Sequence, residues 1–282
     1  MNTTGKLPDN LSIPPCPALL QEVMKLARHP DVEPEKVAAA VRRDAAMTAS
    51  LLQLANSPLS GIRNPLTSVS HAISFLGLKA TLNLMNNVAL RQSMEDGSRR
   101  FAKFWERSSL CAAVAAQLAR KIVSNSPGFE LSPDDTYTTA LFHDCGIPML
   151  MRHFPGYRET VMAKSCQGKN IHEVENTHFS TTHAIVGSML ARSWFLPQFI
   201  CQAILHHHDT TIFPFPGEQI GQDVCRLIGI VYMAELIVDE HLCQENPEWE
   251  RVETEVLPCL GLSMQEFGEM KEDLLCFLNG EG

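Results

Sequence analysis

The chain has 282 residues, enough for one large hydrophobic core or two modest ones, and its 45% hydrophobic and 20% charged residues exclude a disordered chain. A formal charge of −9, from 32 acidic and 23 basic side chains, repels a phosphate backbone over most of the surface, which argues against nucleic acid as a partner and requires a local positive site for any anionic ligand. No apolar run approaches the roughly 18 residues needed to cross a bilayer, the first residues hold no signal-type segment, and nine scattered cysteines without a Cys-x-x-Cys pair exclude a zinc knuckle or disulfide framework.

These features lead to the expectation of a cytoplasmic protein without a membrane partner. Most of its thiols should be small core residues in a reducing compartment. Cys145 is the one cysteine placed for reactivity, beside a His-Asp pair.

Residues 1–13 read as a polar lead-in, after which Pro14-Pro15-Cys16-Pro17 starts a helix over Ala18 to Ala27 with Leu19, Leu20, Val23, Met24 and Leu26 at helical spacing. His29-Pro30-Asp31 closes it, and Pro34 opens a second helix carrying Val37, Ala38 and Val41. Asp44 is placed to cap a third helix with Leu51, Leu52 and Leu54, followed by a loop at Asn56-Ser57-Pro58 and from Gly61 to Pro65. Ser68 to Leu76 is a short helix ended by Gly77, Leu78 to Val88 continues it, and Gly97 marks a seam. Five helices with short turns make a compact first half.

Arg99 to Val123 is the longest helical pattern, with Phe101, Phe104, Trp105, Leu110, Val114 and Leu118 on its apolar side. A loop with Pro127 and Gly128 follows, then a helix, or two meeting near Gly146-Ile147-Pro148, over 134–151. Further helices fall at Tyr157 to Cys166, Thr181 to Phe195, from Pro197 into His206-His207-His208-Asp209, at Asp223 to His241, and twice more before the end. The Thr210 to Gly221 stretch, with Pro214 and Pro216, is irregular. No stretch alternates with a period of two, so the expected fold is all-α, with a helical domain over 1–97 and a second over 98–282 packed together.

His143-Asp144 follows an apolar stretch and precedes Gly146. Imidazole nitrogen and carboxylate oxygen in one small volume suit borderline divalent metals. Taken alone, the pair more often describes a buried histidine satisfied by its aspartate, so further ligand candidates are needed. The second half adds His183, the triple histidine at 206–208 and Glu235, each on a different helix, which is how helical bundles build metal sites in their cores. The triple histidine by itself also fits an exposed polar helix end.

At these residues the second half resembles the HD superfamily of helical metal-dependent phosphohydrolases, and the whole chain resembles its HDOD subgroup of bacterial signalling proteins. The first half carries the resemblance in Ile13-Pro14-Pro15-Cys16-Pro17, Arg43-Asp44, Leu51-Leu52, Leu54-Ala55-Asn56-Ser57, Ser68 and Leu76-Gly77. The second half carries it in Trp105 and Ser108, His143-Asp144-x-Gly146, Glu175, His183-x-x-x-Gly187, Trp194-x-Leu196-Pro197 and His207-His208. The resemblance implies metal positions at His143, Asp144, His183, His207 or His208, and Glu235, with Asp144 also the catalytic residue. Where the family pattern has a first histidine in Trp-x-His-Ser, this chain reads Trp105-Glu106-Arg107-Ser108.

A guanidinium has no lone pair and stays protonated, so Arg107 is no ligand. It could disfavour a second cation and pair with Asp144, hold a phosphate in a two-pronged bond, or turn to solvent with Glu106. The remaining donors would take one divalent transition metal: iron, manganese, nickel or zinc. The family's Gly-Tyr-Pro phosphodiesterase motif is missing, with Thr210-Thr211-Ile212-Phe213-Pro214 standing after the histidines. Two functions are expected from this: a regulatory module that binds a signalling protein partner through its first half and keeps a weakened metal site, or a metal-dependent phosphohydrolase acting on a nucleotide or small phosphate ester.

Overall fold

The computed structural model describes residues 11–29, 32–56, 65–94, 101–125, 131–165, 170–213 and 220–280. The turns expected at Pro30-Asp31, Pro58, Gly61, Pro127-Gly128 and Pro214 to Pro216 lie outside these residues. So do Cys166, the seam at Gly97 and the boundary between 97 and 98.

The first half is α1 (Ala18–Ala27), α2 (Pro34–Val41), α3 (Ala45–Ala55), α4 (Val69–Leu76) and α5 (Leu78–Met94). Local chemistry fixes their ends. The Asp44 carboxylate accepts from Met47 N at 2.9 Å and the Ser68 hydroxyl from His71 N at 3.1 Å, each satisfying an amide that the first turn leaves without a partner. Gly77, at φ +82°, takes a backbone shape that a Cβ disfavours and turns α4 directly into α5. α5 runs on past Val88 because Leu90 and Met94 continue the buried stripe.

The second half is α6 (Ala102–Asn125), α7 (Pro133–Phe142), α8 (Gly146–His153), α9 (Tyr157–Ser165), α10 (Ile171–His178), α11 (His183–Ser193), α12 (Gln198–His206), α13 (Gln222–His241), α14 (Trp249–Cys259) and α15 (Met264–Asn279). The 134–151 stretch thus resolves into two helices, the second starting at Gly146. α10 was not expected from periodicity. Its eight residues, IHEVENTH, are mostly polar, and only Val174 and Glu175 are buried. Among the described residues there is no strand, and no helix is long and apolar enough to cross a membrane.

α13 is the axis of this half. It packs on α6, α7, α12, α14 and α15, and most of its side chains from Val224 to Asp239 are buried. One core runs without interruption through both halves, from Leu20, Val37 and Met85 to Trp105, Phe142 and Ile228. Each large apolar side chain buried there contributes roughly 1.5–3 kcal/mol. Polar bonds also join the halves: Asn83 Nδ2 donates to Asp134 Oδ1 at 2.9 Å, and Trp194 Nε1 donates to the Pro14 carbonyl at 3.1 Å. The described cysteines are all free, most of them buried.

Candidate metal centre

Five helix ends or faces of the second half meet at one point. His143 caps the end of α7, Asp144 follows in the turn, and Gly146 begins α8. His183 is the first residue of α11, His207 and His208 follow the end of α12, and Glu235 and Asp239 stand one turn apart on α13. Gly146 makes the meeting possible. A Cβ there would sit 2.1 Å from the His183 carbonyl oxygen, so only glycine lets the start of α8 press against the start of α11 and bring His183 beside Asp144.

Three imidazoles are oriented by acceptors on their far side. His143 Nδ1 donates to the Ala140 carbonyl and His207 Nδ1 to the Ile204 carbonyl, both at 2.7 Å. His183 Nδ1 donates to Glu175 Oε2, also at 2.7 Å. Carbonyl and carboxylate oxygens only accept, so each Nδ1 carries a proton and each Nε2 is turned inward. His183 Nε2 lies 3.2 Å from His207 Nε2, 3.0 Å from His208 Nε2 and 3.4 Å from Asp144 Oδ1, while His207 Nε2 is 3.7 Å from the same oxygen. Two inward lone pairs at such a distance repel unless a proton or a cation lies between them. Ligands about 2.1 Å from one ion stand about 3 to 4.2 Å from each other, and the four donor atoms of Asp144, His183, His207 and His208 all lie within 4.8 Å of one another. This donor set fits a divalent transition metal.

Asp144 has a second side. Its Oδ2 lies 3.2 Å from His143 Nε2, which is also 3.2 Å from Glu235 Oε1, so His143, Asp144 and Glu235 form a second cluster sharing the aspartate. A guanidinium enters this second cluster. Arg107 Nε and Nη2 donate to the two oxygens of Asp239 at 2.8 and 3.0 Å, Nη2 also donates to Glu235 Oε1 at 3.0 Å, and Nη1 stands 3.7 Å from Asp144 Oδ2. Arg107 therefore points inward, not to solvent with Glu106, and Asp144 is the most distant of its three carboxylates. A two-pronged hold on a phosphate would have to displace Asp239. The triple histidine is likewise no exposed helix end, since His207 is buried and the His208 side chain is only 8% exposed.

Charge follows geometry. Burial opposes ionisation of Asp144 and Glu235, but the His143 imidazolium outweighs it, holding Asp144 well below its usual value and, with help from Arg107, Glu235 at about 2. His143 is in turn held well above its ordinary value, because Asp144 and Glu235 outweigh its burial. Burial and the imidazoles of His207 and His183 push His208 well below its ordinary value, which leaves it a neutral donor.

Sequence reasoning missed three participants. Asp239 is an (i, i+4) neighbour of Glu235, and that spacing was the available signal. Glu175 appeared only as a pattern residue, yet it accepts from His183 N at 3.0 Å, from His183 Nδ1 and from the Tyr157 hydroxyl. Glu248 Oε2 lies 3.3 Å from His208 Nδ1, and burial with the nearby charge of Glu235 raises its pKa to about 7. Cys145 faces Gly187 from a fully buried position, where burial pushes its thiol far up and makes it unreactive.

The HDOD domain family model matches residues 13–210 of this chain. A Treponema pallidum (strain Nichols) protein without a characterised function is 25% identical over 199 residues, covering 70% of this chain. The match spans 38% of that relative, well under half of its length. Among solved structures, an HDOD domain protein of unknown function from Geobacter sulfurreducens superposes with a TM-score of 0.71 at 25% identity, over 93% of this chain and 89% of that one. A Shewanella amazonensis SB2B protein provisionally named a phosphohydrolase superposes with the same TM-score, 0.71, at 19% identity and the same 93% and 89% coverage, a likeness of fold alone.

Proposed function

The chain belongs to the HDOD domain family, and from that premise we propose that it is a regulatory module of bacterial signal transduction whose HD-type metal site is retained at one position and closed at the other. The observation that carries this reading is the Arg107 guanidinium bound to Asp239 and Glu235 and facing Asp144. A fixed positive charge there neutralises the carboxylates that a second cation would need. One divalent ion, of iron, manganese, nickel or zinc, would be held by Asp144, His183 and His207 with His208, and would supply Lewis acidity at a single point. His143 and Glu235, which the resemblance implied as ligands, form the second cluster with Asp144, where Arg107 pairs with Glu235. The amino-terminal helices are the surface offered to a signalling protein, and Phe75 on α4, 63% exposed, gives them an apolar contact.

The test is metal content together with turnover. The purified protein, loaded with each metal in turn, is expected to hold about one equivalent and to leave a panel of nucleotides and phosphate esters intact. Metal-dependent cleavage lost in Asp144→Ala would overturn the regulatory reading.

One observation favours a second reading, a metal-dependent phosphohydrolase acting on a nucleotide or small phosphate ester. A cavity of about 250 Å³ opens beside His208 and is lined by His172, Tyr232, Glu248 and Arg251. Arg251 offers a cation to a phosphate, and Glu248, whose pKa burial raises to about 7, is placed to hold and donate a proton. Such an enzyme would use Asp144 in catalysis and would lose activity in Glu248→Gln.

A further inference from the structure

The two halves do not close completely where α3 and α5 meet α6 and α7. A cavity of about 150 Å³ remains there, with Leu54, Leu84, Ala113 and Ala116 among its apolar walls. The alanines, three residues apart on α6, share a face, and larger residues would fill the space. An apolar void of about this size accepts a ring as large as benzene.

Its polar wall has spare donors. The Tyr137 hydroxyl accepts from Asn87 Nδ2 at 3.2 Å, and among the described residues no acceptor meets its own proton. Gln117 and Arg120 line the same cavity, and among the described residues neither side chain has a hydrogen-bond or ion-pair partner. Among the described residues Asp134 is the one carboxylate in the wall, and its Oδ1 already accepts from Asn83 Nδ2 at 2.9 Å. The wall thus offers a phenol proton, an amide and a guanidinium against one engaged carboxylate. The formal charges of Arg120 and Asp134 cancel, so it is the three spare donors that suit a group with a single negative charge, and the wall resists a dianion.

The geometry points to a ligand site here for a small monocarboxylic acid with an aromatic or other compact apolar body, the body against the leucine and alanine walls and the carboxylate toward Tyr137, Gln117 and Arg120. In a chain of formal charge −9, a local guanidinium is what an anion needs to approach. The position has a further consequence. α6 also carries Arg107, and α7 ends at His143, so two of the helices that line the cavity continue into the metal centre.

The test titrates the full chain with benzoate, phenylacetate, benzyl alcohol and benzylamine, following binding by calorimetry and by amide chemical shifts. The two carboxylates are expected to bind saturably, about tenfold more tightly than the alcohol or the amine. Arg120→Gln, at an exposed position that should not disturb folding, is expected to lower carboxylate affinity about tenfold while leaving the alcohol within about twofold. Ala113→Leu should fill the cavity and abolish binding of all four, with the thermal midpoint showing that the variant is folded. Absence of saturable carboxylate binding, equal affinity for the amine, or carboxylate binding unchanged in Arg120→Gln would each overturn the assignment. If Ala113→Leu does not fold, the Arg120→Gln comparison decides alone.

Discussion

Arg107 and Asp239 are 132 residues apart in the chain, yet their side chains meet in a two-pronged bond of 2.8 and 3.0 Å at the edge of the histidine cluster. The guanidinium does more than satisfy one carboxylate. Through Glu235 and Asp144 it divides what would otherwise be a continuous acidic and imidazole surface into a side open to a cation and a side that already has one.

Removing that cation should therefore change metal stoichiometry. Arg107→Ala is expected to raise divalent metal from about one to about two equivalents, because Asp239 and Glu235 then lose the guanidinium that pairs with them and stand beside Asp144 and His143 as free donors. The metal-free variant should lose roughly 3 kcal/mol of stability, the cost of leaving charges unpaired, and recover most of it on adding metal. Elemental analysis and thermal unfolding with and without zinc check both parts. Unchanged stoichiometry would sink the idea that Arg107 closes the second position.

Gly146→Ala should break the centre without touching a ligand. The added methyl would meet the His183 carbonyl at 2.1 Å, and backbone cannot give way as a side chain can. A loss of roughly 3 kcal/mol or more is expected from the overpacking, together with loss of metal binding. A stable variant with normal metal content would show that α8 and α11 do not need this close approach.

Glu175→Gln tests how His183 is positioned. Outer partners of this kind typically set metal affinity by about 10- to 100-fold, and that fall is expected in a competition titration. The acid dependence has a definite sign. Burial would raise the Glu175 pKa, but His183 and the bonds from His183 and Tyr157 outweigh it and hold the carboxyl below its ordinary 4.5. Its ionic contribution is therefore present above about pH 4.5 and is lost as pH falls through the lower folded value. Denaturant unfolding should show the gap between wild type and variant shrinking across that acid range, and a gap independent of pH would refute the assignment.

Metal binding should release protons at neutral pH. His143 and His183 are held above their ordinary 6.5, because for each the surrounding carboxylates outweigh burial. In the metal-free protein their charge contributes stability that is complete below the unfolded value and fades as pH rises through the folded one. Metal needs the His183 imidazole neutral, and a cation on Asp144 weakens the charge that holds the His143 proton, so apparent affinity should climb with pH above about 6.5. Calorimetry in two buffers of different ionisation enthalpy counts the protons, and no release at pH 7 would contradict this charge state.

The division between sequence and structure follows from the range of the interactions. Helix positions were legible because caps and apolar spacing act within a turn or two: Asp44, Ser68 and Gly77 mark their helix ends by chemistry carried in the adjacent residues. α10 escaped because eight mostly polar residues with one buried apolar side chain have no stripe to read. His143 and Asp144 were legible because they are neighbours in the chain, and Gly146 because the motif includes it. What the sequence by itself determined was an all-α chain with a metal-type donor set, and its resemblance to the family pattern marked Arg107 as standing where that pattern has a histidine. Only the tertiary structure decided that Arg107 turns inward and takes Asp239 before Asp144, that Glu175 rather than a backbone carbonyl orients His183, and that a cavity stays open beside Tyr137. Those choices depend on how α6, α7, α11 and α13 pack, and the partner of a buried charge is set by which helix faces arrive next to it, a relation that residue spacing along one helix does not contain.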